Sequence, residues 1–269
     1  MRRPESPTLE ETDVREEMVM AVAGHKAAAL EPVRELGRFL RASLLQPVPR
    51  DHRQSDAAFR RRRVVAAVTI VVGAVLLGLS LNIPPGDNRF YLATFALAAV
   101  WTVGAFASGP LYLGRANTRS GKRFARPVLQ PLLLGVAAVG VFTLGAVIVA
   151  HIPFLKDSIN AVLDHARFGS LAVVAVITLV NGIAEELFFR GALFAAIGVK
   201  HPVVLSTGIY ALTTVASGNI MLVFAALVLG LLVGLQRRVT GGVLAPMVTH
   251  CTWSLGMLLV LPTLLERLG

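Results

Sequence analysis

The sequence predicts an all-α fold, a polytopic membrane bundle of about seven transmembrane helices. Three observations predict it. Of the 269 residues, 55% are hydrophobic, and the mean hydropathy is +0.67. The apolar residues form continuous runs rather than alternating patterns, which indicates helices. Many runs approach the roughly 20 residues that cross about 30 Å of hydrocarbon. The basic residues behind the formal net charge of +10 gather at the ends of those runs. That placement fits membrane orientation, and no nucleic-acid recognition motif accompanies the charge.

Residues 1–63 read as a separate N-terminal region on the cytoplasmic side. Thr8 followed by Glu11 is a capping-box pattern. In 31–45, Val33, Leu36, Phe39, Leu40 and Leu44 fall at helical spacing opposite Arg34, Arg38 and Arg41. Such an amphipathic helix suits a membrane surface, or packing on the rest of the protein. Residues 46–56 form a polar, proline-containing linker. Residues 64–269 form the bundle.

FRRRR (59–63) precedes the first span, 64–81. A tight loop (83–89) leads to the second, 90–113. The basic stretch 114–126 precedes the third, 128–150. Residues 151–169 form a mixed-charge loop with room for a short surface helix. The fourth span runs over 170–198. The fifth, 202–217, is short, as suits a helix tilted or buried among others. The sixth covers 220–235, and 234–242 joins it to the seventh, 243–261. This order puts the basic loops 60–63, 114–126 and 236–238, with Lys200, on one side. The positive-inside rule assigns that side and the N-terminus to the cytoplasm, in a cytoplasmic (inner) membrane. No cleavable signal-peptide pattern opens the chain. The lone Cys251 cannot form an internal disulfide and reads as a packing residue.

Glu185, Glu186 and Arg190 interrupt the fourth span. Charge within the membrane is costly and usually faces a cavity or a partner. Glu186 and Arg190 lie four residues apart with the acid first, the better order for a helical ion pair. Glu185 lies about 100° around the helix and is left for other work. A buried staple between helices would use the same pair. His250 is the histidine set within a long apolar segment, and Ser254 shares its face. Tyr210 and Thr214 have the same spacing on the fifth helix. A carboxylate pair and a histidine on different helices can activate water and stabilise an oxyanion. The hydroxyls of Thr213 and Thr214 can bond back to the preceding turn. Gly230 and Gly234 match a small-xxx-small packing pattern.

EELFFRG (185–191) resembles the EExxxR motif of the CPBP family. These are intramembrane endopeptidases related to type II CAAX prenyl proteases and to proteins of bacteriocin processing and self-immunity. VTGGVLAP (239–246) and the histidine after it look like the same family. The resemblance covers about residues 165–262 and leaves out the first 63. It implies catalytic roles for Glu185, Glu186, Arg190 and His250. The family's second motif, FxxxH, falls on YALTT (210–214), with Tyr210 for the phenylalanine and Thr214 for the histidine. Its third, HxxxN, falls on HCTWS (250–254), with Ser254 for the asparagine. Threonine neither accepts a proton near neutral pH nor ligates divalent metals well.

The reading is therefore an intramembrane endopeptidase acting on a membrane-associated peptide or protein. The alternative is a degenerate member that binds such a peptide as an immunity or scaffold protein. A proton relay through Glu185, Glu186 and His250 is a third use, without a transporter-like repeat to support it. No cofactor is expected. The two glutamates and His250 are the candidates for zinc, a poor set without the second histidine.

Overall fold

The structure, a computed structural model, describes residues 31–50, 52–117 and 124–268. The capping box at Thr8 lies outside the described residues. The chain divides into two compact units, Met1–Ala42 and Ser43–Gly269. In the first, 31–40 are helical, with Arg38 paired to Glu31 at 2.8 Å and Glu35 at 3.0 Å. Val33, Leu36 and Leu40 are exposed there.

The second unit is a helix bundle. Helix α1 (Asp56–Leu81) starts on Ser55, whose Oγ accepts from the Ala58 N–H. The arginines of 60–63 thus lie in its first turns rather than ahead of it. Helices α2 (Arg89–Ser108), α3 (Leu129–Val149) and α4 (Pro153–Arg167) follow. Helix α4 fills the mixed-charge stretch and buries Ile159 and Leu163 against Leu265. Helix α5 (Leu171–Ile197) carries the glutamate pair. Helix α6 (Pro202–Thr214) is short and ends in a 3-10 turn, Val215–Ser217. Helices α7 (Ile220–Thr240) and α8 (Leu244–Arg267) complete the bundle. Asn219 caps α7, accepting from the Met221 and Leu222 N–H groups, and its amide donates to the Ser158 carbonyl of α4.

Among the described residues, six helices are long and apolar enough to span a membrane: α1, α2, α3, α5, α7 and α8. This is a multi-pass membrane protein. The seventh, α6, falls short, as its sequence anticipated. Residues 236–238, read as a basic loop, are the last turns of α7, because helical hydrogen bonding continues to Thr240. The basic stretch 114–126 contributes two short strands, β1 (Ala116–Asn117) antiparallel to β2 (Phe124–Ala125).

The core centres on Trp101 of α2, which meets Phe188 and Phe189 of α5 at 4.9 and 5.1 Å between ring centroids. All three are essentially buried. Trp101 lies directly over Gly73 of α1, where any Cβ would collide with its ring. The Gly241-Gly242 turn has an equally local cause. Gly241 ends α7 at φ 71°, a left-handed conformation that glycine adopts without strain. Gly242 lies against the backbone of Leu113 and Gly114, which leaves no room for a Cβ. Val243 and Leu244 then donate to the carbonyls of Tyr112 and Leu113 at 2.9 and 3.1 Å. This splice fixes the start of α8, and with it the position of His250.

Candidate active site

Helix α5 changes character at the glutamates. Leu171–Glu185 is α-helical, but Glu186–Leu193 is a π-helix. Such segments widen a helix by one residue per turn and concentrate at functional sites. Glu185 faces α6 and Glu186 faces α8.

Glu186 is fully buried. Its Oε1 accepts from Arg190 Nη1 at 3.1 Å and lies 2.7 Å from His250 Nδ1. The helical ion pair expected from the sequence is therefore present, and α8 joins it. A carboxylate beside Nδ1 keeps a proton on that nitrogen and points Nε2 to other chemistry. Among the described residues, Glu186 Oε2 has no hydrogen-bond partner. Arg190 is also fully buried, with its guanidinium 4.7 Å from the centre of the Tyr210 ring, a cation–π contact. Behind it, α7 approaches closely: a Cβ on Gly230 would lie 3.1 Å from Arg190 Nη2, and one on Gly234 3.2 Å from Val203 of α6. Of the two glycines that suggested packing, Gly230 sits where the arginine needs space.

Glu185 is not unpartnered. Tyr210 Oη donates to its Oε2 at 2.6 Å. Sequence reasoning treated Tyr210 only as a replacement for phenylalanine. The hydroxyl is what distinguishes the two residues, and it was the available signal. The Tyr210 ring also packs on Phe189 at 4.6 Å, so the donor is held by the same aromatic cluster as the core.

Glu185, Tyr210, Thr213, Thr214, His250 and Trp253 line a cavity of ≈ 160 Å³, closed by apolar side chains including Leu77, Trp101 and Leu229. Thr214 thus stands at the wall, but its Oγ1 donates to the Tyr210 carbonyl at 2.9 Å, the back-bond expected of a helical threonine. Ser254 does not line this cavity. Its Oγ donates to the His250 carbonyl at 2.8 Å, a bond within its own helix. His201 heads α6 in a left-handed conformation, φ 50°, and is exposed. Cys251 packs partly buried, 3.9 Å from the Leu179 carbonyl.

The donor set does not suit a metal ion. Glu186 Oε1 already meets two cationic or N–H groups, and Glu185 Oε2 accepts from tyrosine. Among the described residues, no three His, Cys, Asp or Glu side chains converge on one point. What the arrangement offers is a carboxylate at a cavity wall, a histidine oriented by a second carboxylate, and an arginine that holds that carboxylate.

Comparison with known proteins adds a family. Residues 167–256 match the family model described as type II CAAX prenyl endopeptidase Rce1-like. The match contains every member of the cluster, from Glu185 to His250. No curated protein and no solved structure matches the chain.

Proposed function

From the premise that residues 167–256 are a segment of the Rce1-like type II CAAX prenyl endopeptidase family, we propose that the protein is an intramembrane endopeptidase. It hydrolyses a peptide bond in a membrane-associated peptide or protein, in a cavity opening toward the cytoplasm. The carrying observation is the division of labour between the glutamates: Glu185 lines the cavity, while Glu186 is buried between Arg190 and His250.

In this reading Glu185 is the general base. Tyr210 holds its Oε2, leaving Oε1 for a water molecule. The water oxygen attacks the scissile carbonyl carbon as its proton passes to Glu185. In this step His250 acts as an imidazolium: its Nδ1–H is held by Glu186, and its Nε2–H donates to the developing oxyanion. Collapse of the tetrahedral intermediate breaks the C–N bond, and Glu185 returns the proton to the leaving amine. Arg190 positions Glu186 and so acts through it. Ser254 has no part in this scheme.

A second reading is a degenerate member that binds a membrane peptide without cutting it. Thr214 favours it, since a back-bonded hydroxyl stands where the family motif has a histidine. The test compares N-termini of membrane proteins in cells expressing the native chain or Glu185→Ala/Glu186→Ala. New termini that disappear in the double variant support the endopeptidase. Identical termini, with no cleavage regained by Thr214→His, refute it in favour of the binding reading.

A further inference from the structure

A second and larger cavity, ≈ 770 Å³, lies where α1 begins and α2, α5 and α7 end, at one end of the bundle. Six cationic side chains line it: Arg50, Arg53, Arg61, Arg62, Lys200 and Arg237. Among the described residues, the carboxylate in its wall is that of Asp56. Arg62 and Arg237 are more than nine-tenths buried. Buried guanidinium groups ordinarily pair with carboxylates, but these have neutral partners. Arg62 donates to Gln54 Oε1, Ser108 Oγ and the Pro110 carbonyl at 3.1–3.3 Å. Arg237 donates through Nε to the Arg190 carbonyl and lies over the Phe194 ring at 5.1 Å. Arg50 donates to the Arg238 carbonyl, and burial together with Arg238 pushes it below the usual arginine range.

We propose that this cavity is a binding site for a phosphate-bearing anion. Convergent guanidinium groups, each a fork of N–H donors, suit phosphate oxygens bidentately. The cavity lies at the level where four apolar helices start or stop, the depth of lipid headgroups. The occupant's phosphate belongs to an anionic phospholipid or to a soluble phosphate compound, and the ligand chemistry is the same. The site adjoins the carboxylate cluster through the Arg237–Arg190 hydrogen bond, but binding an anion there does not require peptidase activity.

The experiment is thermal unfolding of the full chain in neutral detergent with four probes: dioctanoyl phosphatidylglycerol, dioctanoyl phosphatidylcholine, inorganic phosphate and pyrophosphate. An anionic probe at about a hundredfold excess over its Kd should raise Tm by roughly 5 °C. Arg61→Gln/Lys200→Gln, side chains with no hydrogen bond among the described residues, should weaken apparent affinity by roughly tenfold. Arg126→Gln, outside the cavity, should leave it unchanged. Stabilisation by phosphatidylglycerol alone identifies a lipid headgroup; stabilisation by phosphate or pyrophosphate identifies a soluble ligand. No shift with any anion, an equal shift with phosphatidylcholine, or an undiminished shift in the double variant overturns the proposal.

Discussion

Removing the charge of Glu186 tests the architecture of the carboxylate cluster without requiring a substrate. Glu186→Gln keeps the shape and leaves Arg190, fully buried, without its counterion. Two unit charges 3.1 Å apart attract by about 5 kcal/mol at an effective dielectric constant of about 20. Part of that is offset by desolvation, and breaking one side of a buried pair costs about 3–5 kcal/mol. For a protein of this size that lowers Tm by roughly 6–20 °C. The assay is thermal unfolding in detergent of four proteins: native, Glu186→Gln, Arg190→Met and the double variant. Removing both charges relieves the unpaired one, so the double variant should be more stable than the summed losses predict, by about 1–3 kcal/mol. Additivity within about 0.5 kcal/mol would refute the coupling and the reasoning built on it.

Tyr210→Phe deletes the hydrogen bond to Glu185 and should lower kcat of any cleavage by about tenfold or more, from the 1.5–3 kcal/mol of a bond to a charged group. Ser254→Ala should change cleavage little, because its hydroxyl bonds its own helix; a loss comparable to that of Tyr210→Phe would count against the proposed roles. Trp101→Ala should destabilise by about 3–5 kcal/mol in chemical or thermal unfolding, since the ring fills the junction of α1, α2 and α5. Asp87 accepts from the Arg89 side chain and backbone N–H, which hold its carboxyl below the usual range. Its folded pKa is depressed, so its contribution is present at neutral pH and lost only as pH falls below about 4. Following its carboxyl signal by NMR in acid should show a titration midpoint below that of a free aspartate.

The glutamates, Arg190 and His250 were legible because charge inside an apolar run has few explanations. Their grouping was legible through helical spacing for Glu186–Arg190, and through family resemblance for His250. The π segment was not legible, because eight residues of ELFFRGAL carry no period that separates i→i+4 from i→i+5 hydrogen bonding. That is why Glu185 read as unmatched: its partner, Tyr210, lies 25 residues away on another helix. Ser254 was read from its face on α8, but a face does not reveal that the hydroxyl is already bonded within its own helix. The helix boundaries moved mainly at their polar ends. Arginines 60–63 and Arg237 belong to helices because basic side chains sustain a helix as well as apolar ones do. The basic cavity was hidden because it draws on residues from 50 to 237, which no local pattern joins.

The π segment of α5 carries one residue of slack. Were it to tighten to ordinary α-helical winding, everything beyond it would turn by about 100° about the axis and advance by about 1.5 Å. The ion pair with Glu186 and the Tyr210 contact both grip Arg190 within that slack, and Arg237 grips its carbonyl from the basic cavity. The helix is therefore held like a ratchet one tooth short of fully wound. Its pawl is a single arginine, touched on one side by the cluster of carboxylates and on the other by the cluster of cations.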